Sequence, residues 1–248
     1  MDNSFDLYNF PNEKLISSLE KESPVVLLMF GTFSPITNMH LRALEMARDA
    51  IHSQLPTKRV VAGYISPVSD FYQKDGLINA AHRVKMCKLA TQSSTWIMVD
   101  DWECRQKGWS RTVDLLQHFK EEHKNVHNGN DFRIAIVMGS DLFISFENQS
   151  VWTAEELQVI TGQFIVIVIE RDTDSFSKSK EMIFLDDLLY KNRANIILVN
   201  QFVPFTISST KIRMLIRRGH SIKYLIDDKV AEYIESNSLY KEDSKIDS

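Results

Sequence analysis

The chain has 248 residues, of which 44% are hydrophobic and 25% are charged, a composition typical of a folded globular protein rather than a disordered or fibrous one. Its 29 Lys and Arg against 33 Asp and Glu give a net charge of -4, so an anion site must be built locally. The longest apolar runs, 25–30 and 164–169, are far shorter than the ~20 residues of a membrane-spanning helix. We therefore expect neither a nucleic-acid-binding protein nor a membrane protein.

The N-terminus and the cysteines bear on the compartment. Residues 1–23 lack the basic segment and long apolar stretch of a secretory signal. Cys87 and Cys104 form neither a disulfide framework nor a C-x-x-C motif, which favours a reducing compartment. No basic cluster is typical of a nuclear signal. We expect a cytosolic protein, with the nucleus as the alternative.

Strand-like and helix-like segments alternate along the chain. Helical spacing of apolar residues follows the first three strand-like runs, at 41–51, 84–90 and 113–119. Most strand-like runs are apolar at consecutive positions, as in a parallel sheet covered on both faces. The pattern predicts a doubly wound α/β fold flanked by helices, with ligands beyond the carboxyl ends of the strands. The predicted strands are 25–30, 59–66, 96–99, 133–138, 164–170 and 195–199.

No internal repeat, low-complexity tract or convincing linker divides the chain, so we expect one domain over all 248 residues. An N-terminal extension, 1–23, and a tail, 241–248, are predicted to be peripheral. Polarity predicts surface loops at 123–131 and 171–180, and a short helix is predicted within 12–21.

The first motif is GTFSPITNMH, from Gly31 to His40, between a predicted strand and a predicted helix. The exposed amides of such a junction favour a phosphate, and Gly31 presents no side chain to hold the anion away. Thr37 and Asn38 are candidate N-caps, and His40 in the first helical turn can donate a hydrogen bond to a phosphate. The alternative is a purely structural histidine. Neither G-x-G-x-x-G nor G-x-x-x-x-G-K-[ST] occurs, so this is a different kind of phosphate site.

The second motif is ISSTKIR, at 207–213, which begins a predicted helix that ends at Gly219. The helix start combines two candidate caps with one hydroxyl and two cations, which suits a polyphosphate, although a capped, solvated basic helix is the alternative. These residues are Ser208, Ser209, Thr210, Lys211 and Arg213.

GTFSPITNMHL resembles the G-x-F-x-P-x-T-x-x-H signature of nucleotidyltransferases with an adenylyltransferase-type, Rossmann-like fold, with Thr37 where many bacterial members have a first histidine. TNMHLR is similar to the form found in eukaryotic nicotinamide mononucleotide adenylyltransferases, and ISSTKIR matches the second signature of that family. The resemblance extends from about residue 25 to residue 240.

The resemblance implies that ATP and nicotinamide mononucleotide, or nicotinic acid mononucleotide, combine to give NAD, or deamido-NAD, and pyrophosphate. The mononucleotide phosphate would attack the α-phosphate in line, and Mg²⁺ would bridge ATP oxygens without a dedicated protein cage. No organic prosthetic group is implied. The preferred mononucleotide stays open, as does the oligomeric state, for which a homo-oligomer is one alternative.

The resemblance also assigns site residues. His40, Lys74 and Arg213 would be catalytic. Those that would bind ATP and its phosphates are Gly31, Thr32, Phe33, His40, Gly139, Asp141, Ser208, Ser209, Thr210, Lys211 and Arg213. Those at the mononucleotide would be Thr32, Tyr72, Lys74, Trp109, Thr112, Val151, Trp152 and Arg171. From residue type alone, Asp141 could instead cap a helix, Lys74 could be solvated, and the tryptophans could be core residues.

Some positions depart from the family pattern. Gln73 and Asp75 flank Lys74 where relatives often carry lysines, and this weakens the local positive charge. Three further departures are Gln149 for a common proline, and Phe205 and Thr206 for a frequent Asn and polar residue. None removes a residue assigned to the phosphates.

Two other functions stay open. The same fold could serve another acceptor, such as phosphopantetheine, or a choline-phosphate-type substrate with CTP. It could also act as a chaperone or interaction module without turnover. The tryptophans favour a planar pyridinium substrate over the first alternative, and His40, Lys74 and Arg213 argue against the second.

Overall fold

The computed structural model describes residues 8–16, 22–72, 74, 76–126, 132–170, 173–201, 203 and 206–241. Six parallel strands form one sheet in the order β3-β2-β1-β4-β5-β6. The strands are β1 Ser23–Gly31, β2 Lys58–Pro67, β3 Ile97–Val99, β4 Arg133–Gly139, β5 Ile165–Ile169 and β6 Ile196–Val199. The predicted doubly wound, Rossmann-like sheet and its six strands are confirmed.

Nine helices are described beside the sheet, together with short 3₁₀ turns at 103–105, 145–147 and 193–195. They are α1 Asn38–Gln54, α2 Ala80–Ala90, α3 Thr112–Val126, α4 Ser140–Ile144, α5 Ala154–Gln163, α6 Thr173–Leu185, α7 Asp187–Lys191, α8 Ser209–Arg217 and α9 Asp228–Ser236. Within the described part of the chain, no helix has the length and apolar character that crossing a bilayer requires.

The core lies on both faces of the sheet because successive side chains of a strand point to opposite faces. In β1, Val25 and Leu27 belong to a cluster with residues of α1, α2, α8 and α9. Val26 and Leu28 belong to a second cluster with residues of α3, α4, α5, α6 and α7. This double burial explains why the strand sequences are apolar at consecutive positions.

Two predicted surface loops are wrong in part. Most of 171–180 belongs to α6, whose Met182 is buried against the second face of the sheet, while residues 171–172 lie outside the described part. The helix was missed because its first turns are polar. At 123–131, α3 continues to Val126, and the ring of His123 is buried near Phe10 and Tyr64, with centroid distances of 5.1 and 5.3 Å. Residues 127–131 lie outside the described part.

The N-terminal extension also differs from the prediction. Phe10 is buried in the second core cluster, and Tyr8 Oη donates a hydrogen bond of 2.9 Å to Asp100 Oδ1. Residues 8–16 are therefore not peripheral, because their aromatic side chains complete the core. Asn12 lies next to a turn at residues 13–14, whereas residues 1–7, 17–21 and 242–248 lie outside the described part.

Candidate active site

A cavity of about 760 Å³ opens where β1 and β4 end side by side. The strand order reverses at this point, since β2 and β3 follow β1 on one side and β5 and β6 follow β4 on the other. Ligands of doubly wound sheets bind in the crevice at such a switch point. The cavity therefore lies where the sequence predicts a ligand.

The cavity collects most of the predicted site residues from separate parts of the chain. Lys211 and Arg171 are the exceptions. Lys211 lies outside the lining, with its Nζ donating to the Thr206 carbonyl at 2.9 Å, and Arg171 lies outside the described residues. The predicted residues that line the cavity are Gly31, Thr32, Phe33, His40, Tyr72, Lys74, Trp109, Thr112, Gly139, Asp141, Val151, Trp152, Ser208, Ser209, Thr210 and Arg213.

His40 is oriented by the residue that caps its own helix. Thr37 is the N-cap of α1, as predicted, and its backbone N–H donates to His40 Nδ1 at 3.0 Å. The Thr37 hydroxyl lies 2.9 Å from the same nitrogen. Because Nδ1 accepts a backbone hydrogen bond, the neutral ring carries its proton on Nε2. The imidazole at the cavity is thus fixed as a hydrogen-bond donor through Nε2.

The start of α8 is attached directly to the first motif. Ser208 caps α8 by accepting from Lys211 N–H at 3.3 Å, which confirms one of the two predicted caps. Ser209 Oγ instead donates to the Pro35 carbonyl at 2.8 Å, and Arg213 Nη1 donates to the Ser34 carbonyl at 2.8 Å. Two helix N-termini, those of α1 and α8, therefore face one cavity with His40 and Arg213 beside them.

The tryptophans divide between the cavity and the core. Trp109 has 56% of its surface exposed although it lines the cavity, and the Arg111 guanidinium lies 5.5 Å from its ring centroid. Trp152 also lines the cavity but is only 8% exposed, with its Nε1 donating to Ser145 Oγ at 3.1 Å. Trp102 is outside the lining and stacks on His118 at 4.4 Å. Trp109 is thus the tryptophan whose ring is available to a planar ligand.

The loop after β2 brings Lys74 to the cavity. Lys74 is exposed, and its carbonyl accepts a hydrogen bond of 3.1 Å from Leu77 N–H, which joins these two residues at a turn. The departures at Gln73 and Asp75 lie outside the described residues.

Asp141 does not cap α4; Gly139 holds the N-cap position, and Asp141 lies in the first turn at the cavity. The described residues contain no group of three or more His, Cys, Asp or Glu side chains placed to hold a metal ion.

Arg83 holds two cavity-lining residues, Thr32 and Val68, in place and was not predicted from the sequence. Its side chain is fully buried, with Nη1 donating to the Thr32 carbonyl at 3.1 Å, Nη2 to the Val68 carbonyl at 2.7 Å and Nε to the Ile78 carbonyl at 2.8 Å. Nη2 also forms an ion pair of 2.9 Å with Asp70. One guanidinium thereby joins the β1–α1 loop to both ends of the β2–α2 loop at the carboxyl edge of the sheet. An arginine inside an apolar helical pattern was the available signal.

Three further charged residues line the cavity without having been predicted. Arg111 forms an ion pair of 2.6 Å with Glu156. Burial opposes ionisation of Glu156, but the Thr153 backbone hydrogen bond and Arg111 lower its pKa below the usual value. The third, Glu103, is buried beside the Ser69 N–H, and burial raises its pKa to about 7. The cavity thus combines an exposed aromatic ring with an ion-paired cation and a carboxyl group of weakened acidity.

Residues 28–215 match the family model described as cytidylyltransferase-like. The chain is 39% identical to nicotinamide/nicotinic acid mononucleotide adenylyltransferase 2 of Saccharomyces cerevisiae, covering 94% of this chain and 61% of the relative. It thus spans less than two thirds of that yeast protein. It is also 39% identical to the nicotinamide/nicotinic acid mononucleotide adenylyltransferase of Oryza sativa subsp. japonica, covering 94% of each chain.

A solved structure, the Plasmodium falciparum nicotinic acid mononucleotide adenylyltransferase complexed with APC, has the same fold. The TM-score is 0.57 at 23% identity, over 87% of this chain and 96% of that one. The sequence match to the rice protein, over nearly the full length of both chains, identifies the group more narrowly than the fold does. The chain belongs to the cytidylyltransferase-like family and to the nicotinamide/nicotinic acid mononucleotide adenylyltransferases.

Proposed function

We propose that this chain joins ATP to nicotinamide mononucleotide, and to nicotinic acid mononucleotide, giving NAD or deamido-NAD and pyrophosphate. A 5'-phosphate oxygen of the mononucleotide bonds to the α-phosphorus of ATP. The bond from that phosphorus to the oxygen bridging to the β-phosphate breaks, and pyrophosphate leaves with the electron pair. The observation that carries the proposal is the single cavity shared by His40, Arg213 and Trp109.

The ATP phosphates are proposed to bind between the N-termini of α1 and α8. Both helix starts present backbone N–H groups and the positive end of a helix dipole. His40 adds one donor through Nε2–H, and Arg213 adds a guanidinium suited to phosphate oxygens. Thr210 lies at the same helix start and lines the cavity, so we assign it to the pyrophosphate end.

The mononucleotide is proposed to bind at the other loops of the cavity. The exposed ring of Trp109 offers a face on which a pyridinium ring can stack. Lys74 is assigned to the attacking phosphate, since it is a lysine on a turn at the edge of the cavity and it lines that cavity. Thr112 and Val151 line the same cavity as Trp109 and are assigned to the nicotinamide end.

The chemistry requires alignment and charge neutralisation more than proton transfer. The attacking group is already anionic, so no general base is needed, and charge builds on the α-phosphate and the leaving pyrophosphate. His40 and Arg213 are placed to stabilise that charge. ATP is proposed to enter as its Mg²⁺ complex, because Mg²⁺ is commonly held by substrate phosphates and water rather than by an all-protein cage.

The test is an incubation of purified protein with ATP and Mg²⁺ plus each mononucleotide, followed by detection of dinucleotide and pyrophosphate. We expect NAD from nicotinamide mononucleotide, deamido-NAD from nicotinic acid mononucleotide, and one pyrophosphate for each dinucleotide. A parallel panel with CTP and either choline phosphate or phosphopantetheine examines the other acceptors. The proposal is contradicted if pyrophosphate forms only in the CTP panel, or if no combination of substrates gives product.

A further inference from the structure

Ser34 occupies a buried position between the two halves of the site. Its side chain and its main chain have different partners. The carbonyl accepts from Arg213 Nη1 at 2.8 Å, whereas the hydroxyl donates to the Gly76 carbonyl at 2.9 Å. Ser34 is 1% exposed, so neither bond is exchanged for water at this position. A side-chain substitution at Ser34 therefore separates the Gly76 contact from the Arg213 contact.

Gly76 belongs to the turn that carries Lys74. The turn is closed by the bond from Leu77 N–H to the Lys74 carbonyl, and Gly76 lies between these residues. Gly76 has φ +75, and a Cβ at this position would lie 2.8 Å from Arg213 Nε. Only glycine allows the turn to pack this closely against the guanidinium. The Ser34 hydroxyl is thus an anchor for the Lys74 turn where it meets α8.

Tyr240 completes the chain of hydrogen bonds from the C-terminal end. Its Oη lies 3.1 Å from Ser34 Oγ. The single hydroxyl proton of Ser34 is directed to the Gly76 carbonyl, which cannot donate, so the phenol must donate to Ser34 Oγ. Burial raises the pKa of Tyr240 above its usual value, so the phenol keeps its proton. The order of donation is Tyr240 to Ser34 to Gly76, and each bond polarises the next.

The C-terminal segment is itself held in place. After α9, Leu239 N–H donates to the Ile234 carbonyl at 2.9 Å, and Leu239 packs against the first core cluster. Tyr240 follows with φ 63, a left-handed conformation that directs the chain back toward the first motif. The phenol is therefore presented to Ser34 by a fixed backbone.

We propose that Tyr240 is a positioning residue that, through the Ser34 hydroxyl, holds the Lys74 turn in place for the mononucleotide phosphate. This inference rests on the proposed function, because it uses the assignment of Lys74 to that phosphate. It gives Tyr240 a role in one half of the reaction. The relay is the pair of hydrogen bonds that runs from Tyr240 through the Ser34 hydroxyl to the Gly76 carbonyl, and mononucleotide binding depends on it. ATP binding depends instead on the Ser34 carbonyl, which the relay leaves unchanged.

Tyr240→Phe removes only the phenol oxygen and tests the relay by steady-state kinetics. We expect KM for the mononucleotide to rise about 3- to 10-fold, with KM for ATP and kcat within about 2-fold of wild type. Ser34→Ala should raise the same KM, and the double variant should equal Ser34→Ala alone, because the two groups act in series. Tyr233→Phe is the matched control, since its hydroxyl contacts His82 instead, at 2.8 Å.

Hydrogen exchange gives a readout that needs no activity. The Leu77 amide closes the Lys74 turn, so its exchange should be at least about 3-fold faster in Tyr240→Phe than in wild type, and unchanged in Tyr233→Phe. The Ile136 amide in β4 serves as the internal reference. If wild type makes no dinucleotide, the proposed function fails while the exchange experiment still tests the relay. Unchanged Leu77 exchange in Tyr240→Phe, or a rise confined to KM for ATP, overturns the inference.

Discussion

Arg213 Nη1 donates a hydrogen bond of 2.8 Å to the carbonyl of Ser34, which lies 179 residues earlier in the chain. Ser209 makes a similar bond of 2.8 Å to the Pro35 carbonyl. The two sequence motifs therefore form one structural unit, and a nucleotide in the cavity meets both helix N-termini together. This relationship makes several effects of substitution predictable.

His40→Ala should lower kcat on the order of 10²–10³-fold, because the variant loses a fixed donor whose bond strengthens as charge builds on the phosphates. Steady-state kinetics with saturating ATP and mononucleotide measures the change. The exposed His220, outside the cavity lining, provides the matched control His220→Ala, which should keep wild-type kcat. Turnover near that of wild type in His40→Ala would remove His40 from the mechanism.

Trp109→Ala should raise KM for the mononucleotide about 10-fold or more, through the loss of ring stacking, and leave KM for ATP nearly unchanged. Because Trp109 is 56% exposed, the melting temperature should change little. Trp152→Ala is the contrasting variant. Trp152 is 8% exposed, so its truncation should lower the free energy of unfolding by about 3–5 kcal/mol. An unchanged mononucleotide KM in Trp109→Ala would contradict the assignment.

Arg83→Met should lower the free energy of unfolding by about 2–4 kcal/mol, because the Thr32, Val68 and Ile78 carbonyls each lose a buried donor. Since the β1–α1 and β2–α2 loops both border the cavity, kcat/KM should fall for both substrates. Urea denaturation of Arg83→Met and of the exposed, same-helix control Lys85→Met provides the comparison. The prediction fails if the two variants unfold at the same urea concentration.

The buried Asp100 carboxyl should contribute a decrease in the free energy of unfolding as pH rises from about 4 to about 7. Burial raises the pKa of Asp100 to about 7, a shift that the hydrogen bond from Tyr8 only partly offsets. Between the unfolded pKa near 3.9 and about 7, the native state binds more protons than the unfolded state, so the free energy of unfolding falls as pH rises. The decrease ends above the native pKa of about 7, once Asp100 is ionised in both states.

Asp100→Asn removes this ionisation and keeps an oxygen that can accept from Tyr8. Its free energy of unfolding should therefore fall less steeply with pH than that of wild type, by roughly 1.4 kcal/mol for each unit of the Asp100 pKa shift. Urea denaturation at pH 5, 6.5 and 8 measures both curves. Glu103, whose pKa burial also raises to about 7, is present in both proteins, so the difference between the curves reports Asp100 together with its lesser effect on Glu103. Parallel curves would contradict the prediction.

The sheet and most cavity residues were predictable from the sequence because their signals are local. A strand buried on both faces is apolar at consecutive positions, as in β5, and a motif between a strand and a helix has a fixed place at the carboxyl edge. Lys211 shows the limit of motif transfer: it belongs to the second motif, but its side chain turns back to the Thr206 carbonyl.

The remaining features depend on contacts between distant residues, which composition does not show. Arg83 has the residue type of a solvated cation but is buried because four acceptors surround its guanidinium. His123 and the aromatic residues of the extension were predicted to be at the surface, whereas their rings complete the second core cluster. The cytosolic location and the roles assigned to the site residues, including Arg171, stay predictions.

The most direct measurement of the central claim is calorimetric binding of a non-hydrolysable ATP analogue, with Mg²⁺, to wild type, His40→Ala and Arg213→Ala. If both helix starts bind one triphosphate, each substitution should raise the analogue Kd about 10-fold or more, while the Kd for nicotinamide mononucleotide stays within about 2-fold. Analogue binding as tight as in wild type for both variants would contradict the account.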